Sequence, residues 1–146
     1  MTDVRLRPIT ELDIEPVTAI DEKITGTYRP AEWERRLGYY IRRDPEGSLV
    51  AEADGRVVGF MLGEVRAGEF GLEEPAGWIE VMGVDPEYRG RAVGRRLLEG
   101  MMERFRARGA RAVRTLVDEE GQEGLLGFFS KAGFSATPIR TLEQGL

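Results

Sequence analysis

The run Val84-Asp85-Pro86-Glu87-Tyr88-Arg89-Gly90-Arg91-Ala92-Val93-Gly94-Arg95-Arg96-Leu97-Leu98 restricts this chain more than any other segment. It reads as the end of an apolar strand, a proline turn, a short Arg/Gly loop and the first turns of an amphipathic helix. The first amides of a helix have no acceptor within it and point outward. With the helix dipole they favour an anion, above all a phosphate. Gly90 and Gly94 carry no side chain to hold a phosphate off the backbone, and Arg89, Arg91, Arg95 and Arg96 add positive charge. No Gly-Lys-Ser/Thr triplet closes the loop, which excludes a Walker site. Gly90 and Gly94 also fail to make the Gly-x-Gly-x-x-Gly of a dinucleotide fold.

The chain has no histidine and no cysteine. Ser-His-Asp and Cys-His catalysis are therefore excluded, as are disulfides and the usual zinc sites, and no metal is expected. A net charge of -5 argues against a general nucleic-acid binder. No apolar run approaches the ~20 residues of a membrane span. Met1-Thr2-Asp3-Val4-Arg5 leads straight into strand-like sequence with no secretion signal, so a cytoplasmic location is expected. The length of 146 residues fits one domain with a full core. A homodimer is left open.

Val4 to Arg7 alternates like a strand and ends at Pro8. A helix follows from an N-cap at Thr10 through Leu12, Ile14, Val17 and Ile20, with Pro16 set to delay or bend it. A second helix runs from about Pro30 to Arg43. Ser48–Ala53 and Arg56–Val65 read as strands joined at Asp54-Gly55, a strong hairpin signal. Trp78 to Val84 is nearly continuous apolar strand, expected to be buried on both faces and interrupted by Glu80. Val93, Leu97, Met101 and Phe105 form one helical stripe, which Gly109 ends. Ala112–Val117 is then a strand parallel to the one before the loop. A short helix from about Gly121 to Ala132 and a last strand from Phe134 to Leu142 complete an α/β, mixed-sheet reading.

The loop Arg89-Gly90-Arg91-Ala92-Val93-Gly94 resembles the pyrophosphate loop of the GNAT superfamily, the acyl-CoA-dependent N-acyltransferases. Their pattern is Gln/Arg-x-x-Gly-x-Gly/Ala, and Ala92 replaces its middle glycine. A second family signature, an aromatic pair followed by Gly-Phe, is matched by Phe128-Phe129-Ser130-Lys131-Ala132-Gly133-Phe134. The resemblance spans about residues 48 to 134, and the first 47 share only a β-α-α layout. It implies a single GNAT-type domain over 1–146 in an α/β (α+β) fold, with a mixed, mostly antiparallel sheet flanked by helices and a central β-α-β crossover. It also implies acetyl-CoA as cosubstrate. Backbone groups of Met82, Gly83 and Val84 would pair with pantetheine, and Arg89, Gly90, Arg91, Ala92, Val93, Gly94 and Arg95 would surround the pyrophosphate. Phe129, by the same resemblance a residue of the cofactor site, stands where the family usually has a Tyr that protonates the departing thiolate, and Phe has no proton to give. Its neighbour Phe128 is expected to pack in the core.

In that family an amine attacks the thioester directly, with no acyl-enzyme. A lysine-like amine with pKa ~10.4 is neutral in roughly one molecule in two thousand at pH 7, so a carboxylate base is needed. Glu80 is the first candidate, as the only acid in the apolar strand; burial there is expected to raise its pKa. Without a bulge it shares a face with Met82 and Val84. A structural ion pair with a nearby arginine is the competing reading of Glu80. Asp118 or Glu119, after the next strand, are the alternative bases. The amine acceptor carries no recognisable motif, and the acidic net charge points weakly to a cationic one. A non-catalytic acyl-CoA-binding regulatory module is the rival reading, motivated by Ala92 and Phe129.

Overall fold

The computed structural model describes residues 3–121 and 123–146. Met1, Thr2 and Gln122, the last within the expected helix from Gly121, lie outside the described residues. The chain divides into two compact units, Met1–Thr115 and Leu116–Leu146.

In the first unit the elements run β1 (Arg5–Pro8), α1 (Ile14–Thr25), α2 (Pro30–Arg43), β2 (Leu49–Ala53), β3 (Arg56–Arg66), β4 (Ala76–Val84), α3 (Val93–Ala107) and β5 (Ala112–Thr115). The five strands lie in chain order. Neighbours are antiparallel from β1 to β4, while β4 and β5, joined through α3, are parallel. The mixed, mostly antiparallel sheet read from the sequence is thus present.

Period-two alternation along β3 sorts the two faces. Phe60 and Leu62 join Val17, Ile20, Trp33, Leu37 and Tyr40 in a core beneath α1 and α2. Fully burying each large apolar side chain there stabilises by roughly 1.5–3 kcal/mol. Gly59 and Gly63 face the other way, toward α3. A Cβ at Gly59 would lie 2.9 Å from Val93 Cγ1, and one at Gly63 would lie 3.0 Å from Phe105 Cζ. The glycines let α3 settle close on the sheet with Val93, Leu97, Leu98, Met101 and Phe105 buried. That seating fixes where the helix begins, and so where the anion loop sits.

Local signals explain most boundaries. Asp54 and Gly55 both take positive φ, 53° and 76°, as a two-residue hairpin turn requires. The Thr10 hydroxyl accepts from Leu12 N–H at 3.3 Å, and the Asp13 carboxylate accepts from Thr10 N–H at 2.8 Å. This reciprocal cap opens a single 3₁₀ turn, Glu11–Asp13, ahead of α1. α1 itself begins at Ile14, after that turn, and Pro16 falls in its first turn, where a missing N–H costs little, so the helix is not broken.

Two expectations about β4 are corrected. It is not buried on both faces, since Glu80 is exposed and Val81 and Met82 are only half-buried. The register also slips: Leu62 opposes Val81 but Gly63 opposes Ile79, leaving Glu80 as the extra residue of a β-bulge.

In the second unit one helix, α4 (Glu123–Lys131), is followed by Gly133 at φ 97°. The expected strand from Phe134 to Leu142 is absent. Pro138 removes a ladder donor in its middle, Thr137 Oγ1 turns back to accept from Ile139 N–H at 3.3 Å, and the stretch after Phe134 is exposed. β5 likewise ends at Thr115 rather than Val117.

Three carboxylates tie the first unit together. Burial works to raise Asp13, but hydrogen bonds from Arg7 and from Thr10 N–H outweigh it and hold the group below its ordinary 3.8. Asp44 and Asp85 follow the same pattern, through Arg108 and Glu46 N–H and through Lys23 and Glu87 N–H. Each group binds protons more weakly folded than unfolded. Its contribution is therefore complete above the unfolded value near 3.8 and disappears as pH falls through the lower folded value. Thermal unfolding followed by circular dichroism should show a melting temperature insensitive to these groups from pH 7 to 5 and falling steeply below pH ~4. Asp13→Asn should flatten part of that fall.

Candidate functional site

The loop from Arg89 to Ala92 follows β4 and a short turn and leads into α3, the layout that its sequence suggested. Asp85 N–H donates to Val58 O at 2.8 Å, and Lys23 Nζ meets the Asp85 carboxylate at 2.9 Å. This pins the exit of β4 to β3 and α1. Tyr88 is buried in the turn that follows, its hydroxyl donating to Asp54 Oδ2 at 2.7 Å and its ring beneath the Arg56 and Arg91 guanidinia. Gly90 (φ 78°) and Ala92 (φ 62°) then reverse the backbone into α3. Ala92 supplies no side-chain cap. Among the described residues the amides of Val93, Gly94 and Arg95 have no acceptor, and the first helical bond runs from Arg96 N–H to Ala92 O at 3.0 Å. Arg95 is well exposed, with Glu99 at 3.8 Å. Amides without an acceptor at a helix start, beside an exposed arginine, are the kind of arrangement that favours a phosphate.

Ala92 holds a left-handed conformation that costs an L-residue roughly 1–2 kcal/mol. Ala92→Gly relieves that strain, partly offset by the greater freedom of glycine in the unfolded chain. A net stabilisation of about 0.5–1 kcal/mol is expected in urea titrations. Gly90→Ala should destabilise, because it introduces the same strain.

Glu80 is not a buried acid. Its side chain is 45% exposed, because the bulge turns it out of the alternating pattern shared with Met82 and Val84. Tyr40 Oη donates to Glu80 Oε1 at 2.9 Å, and Arg36 Nε lies 3.5 Å from Oε2. The ion pair with a nearby arginine is thus present. Burial first, then the Glu80 carboxylate, pushes the Tyr40 hydroxyl far above its ordinary range, so it remains a proton donor. Glu80 lies on the wall of a cavity of about 570 Å³ with Glu32, Arg35, Arg36, Tyr39, Tyr40, Arg66 and Val81. Pairing of β5 with β4 ends at Ile79↔Thr115, immediately before the bulge. Among the described residues no strand pairs with Met82, Gly83 or Val84 on that side.

The second unit holds the remaining candidates. Asp118 and Glu119 are exposed, and Asp118 Oδ1 accepts from Glu120 and Gly121 N–H at 3.0 and 3.1 Å, closing a turn. Phe129, not Phe128, is the buried aromatic, its ring 5.1 Å from Phe128 and 5.0 Å from Phe134. Sequence reasoning missed Tyr40, Arg35, Arg36 and Arg66. The spacing of Arg36 and Tyr40, one helical turn apart, was the available signal, but Tyr40 also continues the apolar stripe of Trp33 and Leu37.

Amides without an acceptor at the start of α3 and a carboxylate at a bulge in the preceding strand, on the wall of a polar cavity, thus belong to one α/β fold. The Acetyltransferase (GNAT) family model matches residues 14–134, and the chain belongs to that family. It is 42% identical over 76 residues to a mycothiol acetyltransferase of Thermobispora bispora, covering 52% of this chain and 26% of that protein. An uncharacterized N-acetyltransferase of Methanocaldococcus jannaschii is 30% identical over 113 residues, 77% of this chain and 50% of the relative. The chain therefore spans half or less of the length of these curated relatives. In fold it is similar to the aminoglycoside N-acetyltransferase AAC(6')-Iy in complex with CoA, with a TM-score of 0.84 at 18% identity over 99% of this chain and 96% of that one. Ard1 from Thermoplasma volcanium aligns with a TM-score of 0.76 at 25% identity over 92% and 84% of the two chains.

Proposed function

We propose that this chain transfers an acetyl group from acetyl-CoA to an amine, with the pyrophosphate on the amides of Val93, Gly94 and Arg95 and with Glu80 as the base. The unsatisfied amides at the start of α3 carry this reading, because a diphosphate is the ligand chemistry they fit. The unpaired edge at Met82, Gly83 and Val84 offers main-chain groups to an extended amide chain such as pantetheine.

Acetyl-CoA supplies the activated acetyl group: a C–N bond replaces the C–S bond, and sulfur leaves with the electron pair. The chain itself positions the acceptor and removes its proton. Glu80 takes the proton from the attacking nitrogen, directly or through one water. Tyr40 Oη donates to one carboxylate oxygen and Arg36 Nε lies by the other, so the group is oriented before the amine arrives. Holding both reactants in one geometry contributes on the order of 7 kcal/mol or more to lowering the barrier.

The test is CoA thiol release with a panel of amines, with products identified by mass. Acetylated product formed only in the presence of amine supports the reading. Tight acetyl-CoA binding without turnover on any amine would replace it with a non-catalytic binding module.

A further inference from the structure

The cavity beside Glu80 runs against the charge of the chain. The protein carries a net charge of -5, yet this wall holds three arginines, Arg35, Arg36 and Arg66, against Glu32 and Glu80. The arginines are not equally engaged. Arg36 is spoken for, 3.5 Å from both Glu32 and Glu80 and stacked 4.8 Å over the Trp33 ring. Arg66 meets Glu64 at 3.3 Å, a carboxylate it shares with Arg43 at 2.9 Å. Arg35 is exposed and has no acidic partner among the described residues.

We propose that this cavity, lined by Glu80 and by the unpaired Arg35 with Arg66, selects small acceptors that carry a carboxylate beside the amine to be acetylated, as an amino acid does. This inference rests on the transferase reading. A guanidinium presents a planar fork that matches a carboxylate bidentately. Glu80 meets the amine and the arginines meet the carboxylate, so one small zwitterion satisfies both. The volume of about 570 Å³ lies in the range of small-molecule sites. A polyamine or another polycation would instead bring its second charge toward Arg35 and Arg66, which is repulsive. The weak preference for cationic acceptors suggested by net charge is therefore reversed at the site itself.

The experiment compares amino acids with their own α-carboxamides as acceptors, at saturating acetyl-CoA, by initial rate. The carboxamide has the more easily deprotonated amine, so the comparison is weighted against the proposal. Carboxylate acceptors should nonetheless have a kcat/KM about tenfold or more above their carboxamides, mostly through KM. Arg35→Gln should raise KM for the amino acid about tenfold and erase the preference. Carboxamides acetylated as well as or better than amino acids would overturn the acceptor class and leave the transferase reading standing. No acetylation of any amine would overturn both.

Discussion

Gly94→Glu should abolish the thermal stabilisation that acetyl-CoA confers while leaving the free protein at least as stable as the wild type. At a ligand concentration 100 times Kd, binding adds about 2.7 kcal/mol, a rise of roughly 5–11 °C in a chain of this size. The substitution puts a carboxylate among the amides that receive the diphosphate. Two unit charges ~4 Å apart repel by about 4 kcal/mol at an effective dielectric constant of 20, enough to cost at least about 100-fold in affinity. The same carboxylate is favourable to an empty helix start, since it complements the dipole, and Glu is a better helix former than Gly. A lost shift with an unchanged or higher starting melting temperature thus locates the ligand rather than reporting misfolding. An undiminished shift would mean that acetyl-CoA binds elsewhere.

Glu80→Gln should lower kcat/KM by about 100- to 1000-fold and leave acetyl-CoA binding and stability nearly unchanged. Glutamine keeps an oxygen to accept from Tyr40 Oη, so the local hydrogen bond survives while the base is lost. The side chain is 45% exposed, so its ion pair with Arg36 at 3.5 Å contributes little to folding. The variant must rely on amine already neutral in solution. Its rate should climb about tenfold per pH unit until the acceptor's own pKa is reached, and the wild type should be flatter. Tyr40→Phe leaves the carboxylate in place but unoriented, so a smaller loss, about tenfold, is expected, seen mainly in kcat. If Glu80→Gln instead kept full activity and melted lower, the residue would be an ion-pair member and no base.

Local chemistry made much of this molecule legible in its residues. The Asp54-Gly55 turn, the helix from Pro30 to Arg43 and the stripe from Val93 to Phe105 each depend on neighbours within a few positions, and each was found as read. The loop from Arg89 to Arg95 was legible for the same reason, since glycine placement and a helix start define it. What escaped was non-local. The bulge at Glu80 arises from register against Gly63, seventeen positions earlier in the chain, where a Cβ would lie 2.4 Å from Trp78 O. No alternation within β4 reveals it. Consequently the burial expected of Glu80, and with it the cause first given for its chemistry, was wrong. The Tyr40–Glu80 hydrogen bond spans forty residues and comes from packing α2 over the sheet. The tail failed differently: Phe134, Ile139 and Leu142 suggested a strand, but the apolar spacing is irregular and Pro138 interrupts it.

A crystal structure of the protein with coenzyme A tests the account most directly. The two phosphates should lie within about 3 Å of the amide nitrogens of Val93, Gly94 and Arg95, the bond length of an N–H···O contact. Coenzyme A bound with its phosphates away from those amides, or no binding at millimolar concentration, would contradict it.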